Sequence, residues 1–216
     1  MLKFLLSNEA IRVLGVLMEK ELTTPEYYPL SVNALKNGCN QTTNRDPLVS
    51  YDDETVQAAL DGLIQQNLVW DSPLGRVAKY GQNLSKQLNL VPREAVVLSL
   101  LFLRGPQTVG ELRGRSGRAY AFSDLNEVQE VLTNLTEWGH AEQLPRQAGR
   151  KEPRYRHLFA ENPGEAEVSI LERHAAPSET TGHALEKITQ LEIELKTLRT
   201  EFEDLKQAFQ EFKTQF

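Results

Sequence analysis

Two stretches of the chain repeat one ordered pattern, and no other feature of the sequence restricts its fold as strongly. The first opens Ser7-Asn8-Glu9-Ala10-Ile11-Arg12-Val13-Leu14 and the second Pro92-Arg93-Glu94-Ala95-Val96-Val97-Leu98. Both are apolar at helical spacing and carry Glu-Ala at the start. Further on, Val56-Gln57 with Leu60 and Leu63 matches Val128-Gln129 with Leu132 and Leu135. Ser50 and Ser123 stand upstream as expected helix N-caps. A short β-like run then leads to a turn with Gly-Arg in each copy. Leu68-Val69-Trp70 precedes Gly75-Arg76, and His140-Ala141-Glu142-Gln143-Leu144 precedes Gly149-Arg150. The separation of matched residues drops from 85 at Glu9/Glu94 to 72 at Val56/Val128. Copy one therefore carries an excess, expected around helix two and the loop 40–49.

Three short helices and a two-stranded hairpin on about 70 residues is the winged-helix plan. The expected fold class is mainly α with small β-hairpins (α+β). Residues 1–88 would form the first winged-helix domain and 89–160 the second, with a linker at 161–183 and a coiled-coil tail at 184–216. A single larger α+β domain with accidental self-similarity is the competing reading.

The linker reading rests on Pro163, Gly164, Pro177 and Gly182 among several glutamates. Beyond it, Ile188, Leu191, Leu195, Leu198, Phe202, Leu205, Phe209 and Phe212 recur at alternating steps of three and four, a heptad seam. In a parallel dimer the flanking pairs would be Lys187 with Glu192, Glu194 with Arg199, and Glu201 with Lys206, all opposite in sign. A parallel homodimer is expected; the alternative is that the helix packs on its own domains.

Composition narrows the function classes. No apolar run approaches the roughly 20 residues of a membrane span, the N-terminus lacks a signal-peptide cleavage site, and Cys39 is the single cysteine. A cytoplasmic location without an intrachain disulfide is expected. There is no Gly-rich phosphate loop, no His/Cys cluster at metal spacing and no Gly-x-Ser-x-Gly elbow. No catalytic residue, cofactor or metal is expected, and the chain is read as a non-enzyme. Cys39 reads as a small buried hydrophobe rather than a nucleophile.

The net charge of −6 is uneven. Residues 1–88 carry −2, residues 89–160 carry +2, and residues 161–216 carry −6. The third helix of each copy holds acidic side chains and no Lys or Arg, which disfavours ordinary major-groove docking. Basic residues gather instead on helix two and the wing of copy two: Arg113, Arg115, Arg118, Arg146, Arg150, Lys151, Arg154 and Arg156. They are a candidate nucleic-acid or partner surface; the alternative is that they pair with acidic groups of the same chain. A second candidate is the polar loop with Asn40, Gln41, Asn44 and Arg45, whose amides either meet a partner or satisfy the loop's own backbone.

Several motifs together resemble one family. They are Thr23-Thr24-Pro25-Glu26, Tyr28-Pro29-Leu30-Ser31-Val32-Asn33-Ala34-Leu35, and Cys39-Asn40-Gln41 with Asn44-Arg45-Asp46-Pro47. Arg104-Gly105, Gln107-Thr108, Gly110-Glu111-Leu112-Arg113, Lys151-Glu152 and Arg154-Tyr155 continue the likeness. Over about residues 4–159 the chain resembles the YceH-like bacterial proteins. The resemblance implies paired winged-helix domains in a bacterial cytosolic protein, and no particular activity. Two functions are therefore expected as alternatives. One is DNA binding or a transcription-associated role through the second wing, with double-stranded DNA as partner. The other is a protein-interaction scaffold resembling the tandem winged-helix subunits of chromosome-condensing complexes.

Overall fold

Ser7 starts the first helix: its hydroxyl accepts the Ala10 N–H at 3.2 Å and α1 runs Asn8–Thr23. The computed structural model describes residues 4–72, 77–146 and 152–161. A short 3₁₀ turn at Pro25–Tyr27 follows, then α2 (Val32–Cys39), α3 (Asp53–Gln65), β1 (Val69–Ser72), β2 (Lys79–Gln82) and α4 (Leu84–Gln87). The second copy comprises α5 (Pro92–Arg104), α6 (Val109–Ser116), α7 (Leu125–Glu137), β3 (Ala141–Gln143) and β4 (Tyr155–His157). The fold is mainly helical with two small antiparallel two-stranded sheets, as the sequence implied.

The duplication extends to individual bonds. Ser31 caps α2 through the Ala34 N–H, and Thr108 caps α6 through the Glu111 N–H. The residue before each cap pairs with a hairpin tyrosine. Leu30 exchanges two backbone hydrogen bonds with Tyr80, and Gln107 does the same with Tyr155. Each tyrosine hydroxyl then meets the glutamine of its own third helix, Tyr80 with Gln57 at 3.4 Å and Tyr155 with Gln129 at 2.9 Å.

Two expectations change. The third helices are capped by Asp52 and Asp124, which accept from Thr55 and Glu127, not by Ser50 and Ser123. A carboxylate one or two residues closer to the first turn accepts the orphan N–H directly, leaving Ser123 to bond Glu127. The excess in copy one is also split. Matched residues stand 85 apart at Glu9/Glu94, 77 at Leu30/Gln107 and 72 at Gln57/Gln129. Most of the extra chain thus precedes α2, in the segment holding the 3₁₀ turn, and the remainder lies in the loop before α3.

The two first helices form the centre. α1 is buried from Ala10 to Met18, and α5 buries Val96, Val97, Leu98, Leu101, Phe102 and Leu103. They approach so closely at Gly15 that a Cβ there would lie 3.0 Å from Phe102 Cβ and 3.0 Å from Leu103 Cδ2. One apolar cluster is built mainly from copy one but takes Ala95, Leu98, Phe102, Leu103 and Phe159 from copy two; the other lies around α5, α6 and α7. The chain ends of this region meet as well. The Leu6 N–H donates to Phe159 O at 2.8 Å, and the Glu161 N–H donates to Leu6 O at 3.1 Å. Residues 4–161 belong to a single compact unit. The linker and the heptad seam lie outside the described residues, apart from Glu161.

Candidate functional site

The polar loop of copy one is anchored from beneath. Asn40 clamps Tyr51 from both sides: its Nδ2 donates to Tyr51 O and its Oδ1 accepts the Tyr51 N–H, each at 2.8 Å. Arg45 is buried, donates to Gly38 O at 2.9 Å and pairs with Glu19 through two nitrogens at 2.6 and 3.1 Å. Asn44, at φ 62°, accepts from Arg104 of α5. Gln41 remains half-buried at the loop surface. Three of the four residues singled out in this loop therefore hold its own backbone and neighbours. Burial pushes the Cys39 thiol up to about 12, so at neutral pH the sulfur is protonated and packs as an apolar group.

The basic surface of copy two divides in the same way. Thr108 and Glu111 cap α6 reciprocally, the Thr108 N–H reaching Glu111 Oε2 at 2.9 Å. The other oxygen of Glu111 receives Arg154 at 3.0 Å and Arg115 at 3.5 Å. Burial raises the Glu111 carboxyl, but the Thr108 N–H and the two arginines outweigh it and hold its pKa below the usual range. Arg115 also donates to Gln107 at 2.7 Å, Arg156 pairs with Glu142, and Arg113 donates to Ser123 O at 2.9 Å. Arg118 and Arg146 are exposed. Arg150 and Lys151, expected on the same surface, lie outside the described residues. Intradomain ion pairing thus takes up Arg115, Arg154 and Arg156.

The third helices present a different surface. Asp52, Asp53, Glu54 and Asp61 are exposed on α3, with Asp53 paired to Lys36 at 2.9 Å. On α7, Asp124, Glu130 and Glu137 are exposed. Between them Asn126, Gln129, Glu130, Thr133 and Asn134 line a shallow groove of about 340 Å³. Exposed Leu125 and Trp138 stand at the two ends of the helix. The acidity of these helices is read from the sequence above, but the groove-lining face of α7 is not, although its signal is present. Residues 126, 129, 130, 133 and 134 follow the i, i+3, i+4, i+7, i+8 rule that marks one helix face, beside the buried stripe of Val128, Val131, Leu132 and Leu135.

Among the described residues no group of three His, Cys, Asp or Glu side chains is placed to hold a metal ion. No helix among them is long and apolar enough to cross a membrane. Among the described residues, Cys39 is a buried packing residue and Arg115, Arg154 and Arg156 are ion-paired.

The comparisons with known proteins identify the family. Residues 6–150 match the family described as "Protein of unknown function, DUF480". The chain is 47% identical to a "UPF0502 protein" of Pelobacter propionicus over all of both chains. It is 51% identical to a "UPF0502 protein" of Citrifermentans bemidjiense over 88% of each chain, and 45% identical to one of Solibacter usitatus over 95% of each. The chain belongs to this DUF480, or UPF0502, family of bacterial proteins. The bacterial family likeness read from the motifs is thereby established.

Proposed function

We propose that the protein is a non-enzymatic, tandem winged-helix interaction module that engages a protein partner through the outward face of α7. The observation that carries this reading is the inversion of charge across copy two. The helix that would enter a DNA groove exposes Asp124, Glu130 and Glu137, while Arg115, Arg154 and Arg156 are committed to Glu111 and Glu142. A phosphate backbone would be repelled by the first set, and the second offers it fewer uncompensated charges than their number suggests. The amides of Asn126 and Asn134 supply hydrogen bonds, and exposed Leu125 and Trp138 supply apolar anchors at the two ends of α7. The heptad seam of the tail adds a parallel homodimer to the proposal, so each particle would offer two such faces and gain avidity.

A photo-crosslinking residue at Thr133 tests the face in cells. The expected result is one discrete protein adduct, lost when Leu125→Asp and Trp138→Asp are introduced together. Failure to form any adduct overturns the reading. Exposed Arg118 and Arg146 favour a second reading, in which the wing of copy two binds DNA. Fluorescence anisotropy on mixed duplex DNA at low salt decides between them. Salt-steep binding abolished by Arg118→Glu with Arg146→Glu would establish the DNA reading and remove the first. Deleting residues 184–216 turns a two-chain particle into a one-chain particle by light scattering if the seam dimerises, and leaves the number of chains per particle unchanged otherwise.

A further inference from the structure

At one of the matched positions where the two hairpins differ, a cleft lies beside the difference. In copy two the pair Glu142↔Arg156 faces across the strands and forms an ion pair. The same register position in copy one is Trp70↔Gly81. A Cβ on Gly81 would fall 2.2 Å from the indole, so the indole lies against the backbone there and only glycine leaves it room. Trp70 is nevertheless 42% exposed. It lines a cleft of about 460 Å³ between the end of α1, the first hairpin, α4 and the start of α5. That volume lies within the roughly 300–1,000 Å³ of small-molecule sites.

The walls carry both signs of charge. Glu21 lies at the end of α1 and accepts from the buried Gln82 amide, and Lys86 of α4 lines the same cleft. Pro92 opens the 13-residue α5 and lines the cleft, so the positive end of that helix dipole borders it. Leu22 and Leu90 form the apolar part, and both pack against each of the two cores.

We propose that this cleft binds a small zwitterion with an apolar body, of the free amino acid class. Its ammonium group meets Glu21, its carboxylate meets Lys86 near the start of α5, and its side chain lies on Trp70. A lone cation would face Lys86, and a lone anion would face Glu21; a molecule bearing both charges answers both walls. The site is independent of the α7 face and stands or falls without it.

The test uses the full chain with Trp138→Phe, which leaves Trp70 as the single indole reporter. L-Phenylalanine is the probe, with phenethylamine and 3-phenylpropionate as controls lacking one charge each. Saturable change of Trp70 emission is expected in the millimolar range for L-phenylalanine. Both controls, and both Glu21→Gln and Lys86→Met, should weaken binding about tenfold, as expected for losing one charge-assisted hydrogen bond. Lys86 is exposed, so its variant remains informative even if Glu21→Gln perturbs the Gln82 contact. No saturable response, or an equal response to L-phenylalanine and either control, overturns the proposal.

Discussion

Copy one and copy two share a chain plan but spend their charged residues differently. In copy one the arginine of the α2–α3 loop is drawn inside: the Arg45 side chain has 0% exposure and depends on Glu19. In copy two the comparable ion pairs stay at the surface, where Arg154 and Arg156 keep about a quarter of their side-chain area exposed. The same interaction type therefore serves two ends. Buried, it fixes a loop onto a helix; exposed, it trims the net charge that the surface shows to solvent.

The largest expected effect tests the buried side of that contrast. Glu19→Ala strands the Arg45 guanidinium and should cost about 3 kcal/mol of unfolding free energy, read by urea denaturation. A loss near the surface-pair value would mean that the loop relaxes and Arg45 reaches water. Next comes the seam between the copies. Gly15→Leu drives a side chain into Phe102 and Leu103 and should cost about 2 kcal/mol, measured the same way. An unchanged midpoint would show that α1 and α5 can part without penalty.

A pH effect separates the copies at another matched position, Gln82 and His157. The His157 ring stands edge-on to Phe102 at 4.9 Å and accepts the Phe159 N–H. Burial, with a smaller push from Arg156, lowers its pKa to about 4. The unfolded chain, with an ordinary value near 6.5, binds the proton more readily. Stability from this group is therefore complete above about pH 6.5 and declines toward pH 4, by up to about 1.4 kcal/mol per pH unit. His157→Asn should flatten that decline between pH 6.5 and 5, and equal slopes in both proteins would exclude His157 as its source. The smallest effect is expected for Glu142→Ala, about 0.5 kcal/mol, because the pair with Arg156 is screened by water. A loss as large as that of Glu19→Ala would erase the distinction between the copies.

The helices and both hairpins were legible because apolar spacing and ordered repetition are local signals. Val56-Gln57 and Val128-Gln129 marked the third helices correctly, and the paired tyrosines explain why a glutamine stands in each. The caps were misread because a serine and an aspartate within two residues offer equivalent acceptors to sequence reasoning. Geometry alone chose Asp52 and Asp124. Arg45 and Arg154 looked like contact residues because charge in a loop usually faces water. Their partners, Glu19 and Glu111, lie 26 and 43 residues away, beyond any local pattern. The Trp70 cleft was hidden for the same reason: it exists only where α1, the first hairpin and α5 converge.

The pairing of Leu6 with residues 159–161 has a consequence for how the protein is made. Phe159 has 0% exposure and sits in the cluster that copy one mainly builds. A nascent chain that has delivered all of copy one still lacks this ring and the backbone at residues 159–161 that ties down its own beginning. The first half cannot close its interior until the last hairpin has cleared the ribosome. A chain stalled shortly before Phe159 therefore presents an unsealed apolar face to the translation machinery and to proteases, although nearly all of both copies has already been synthesised.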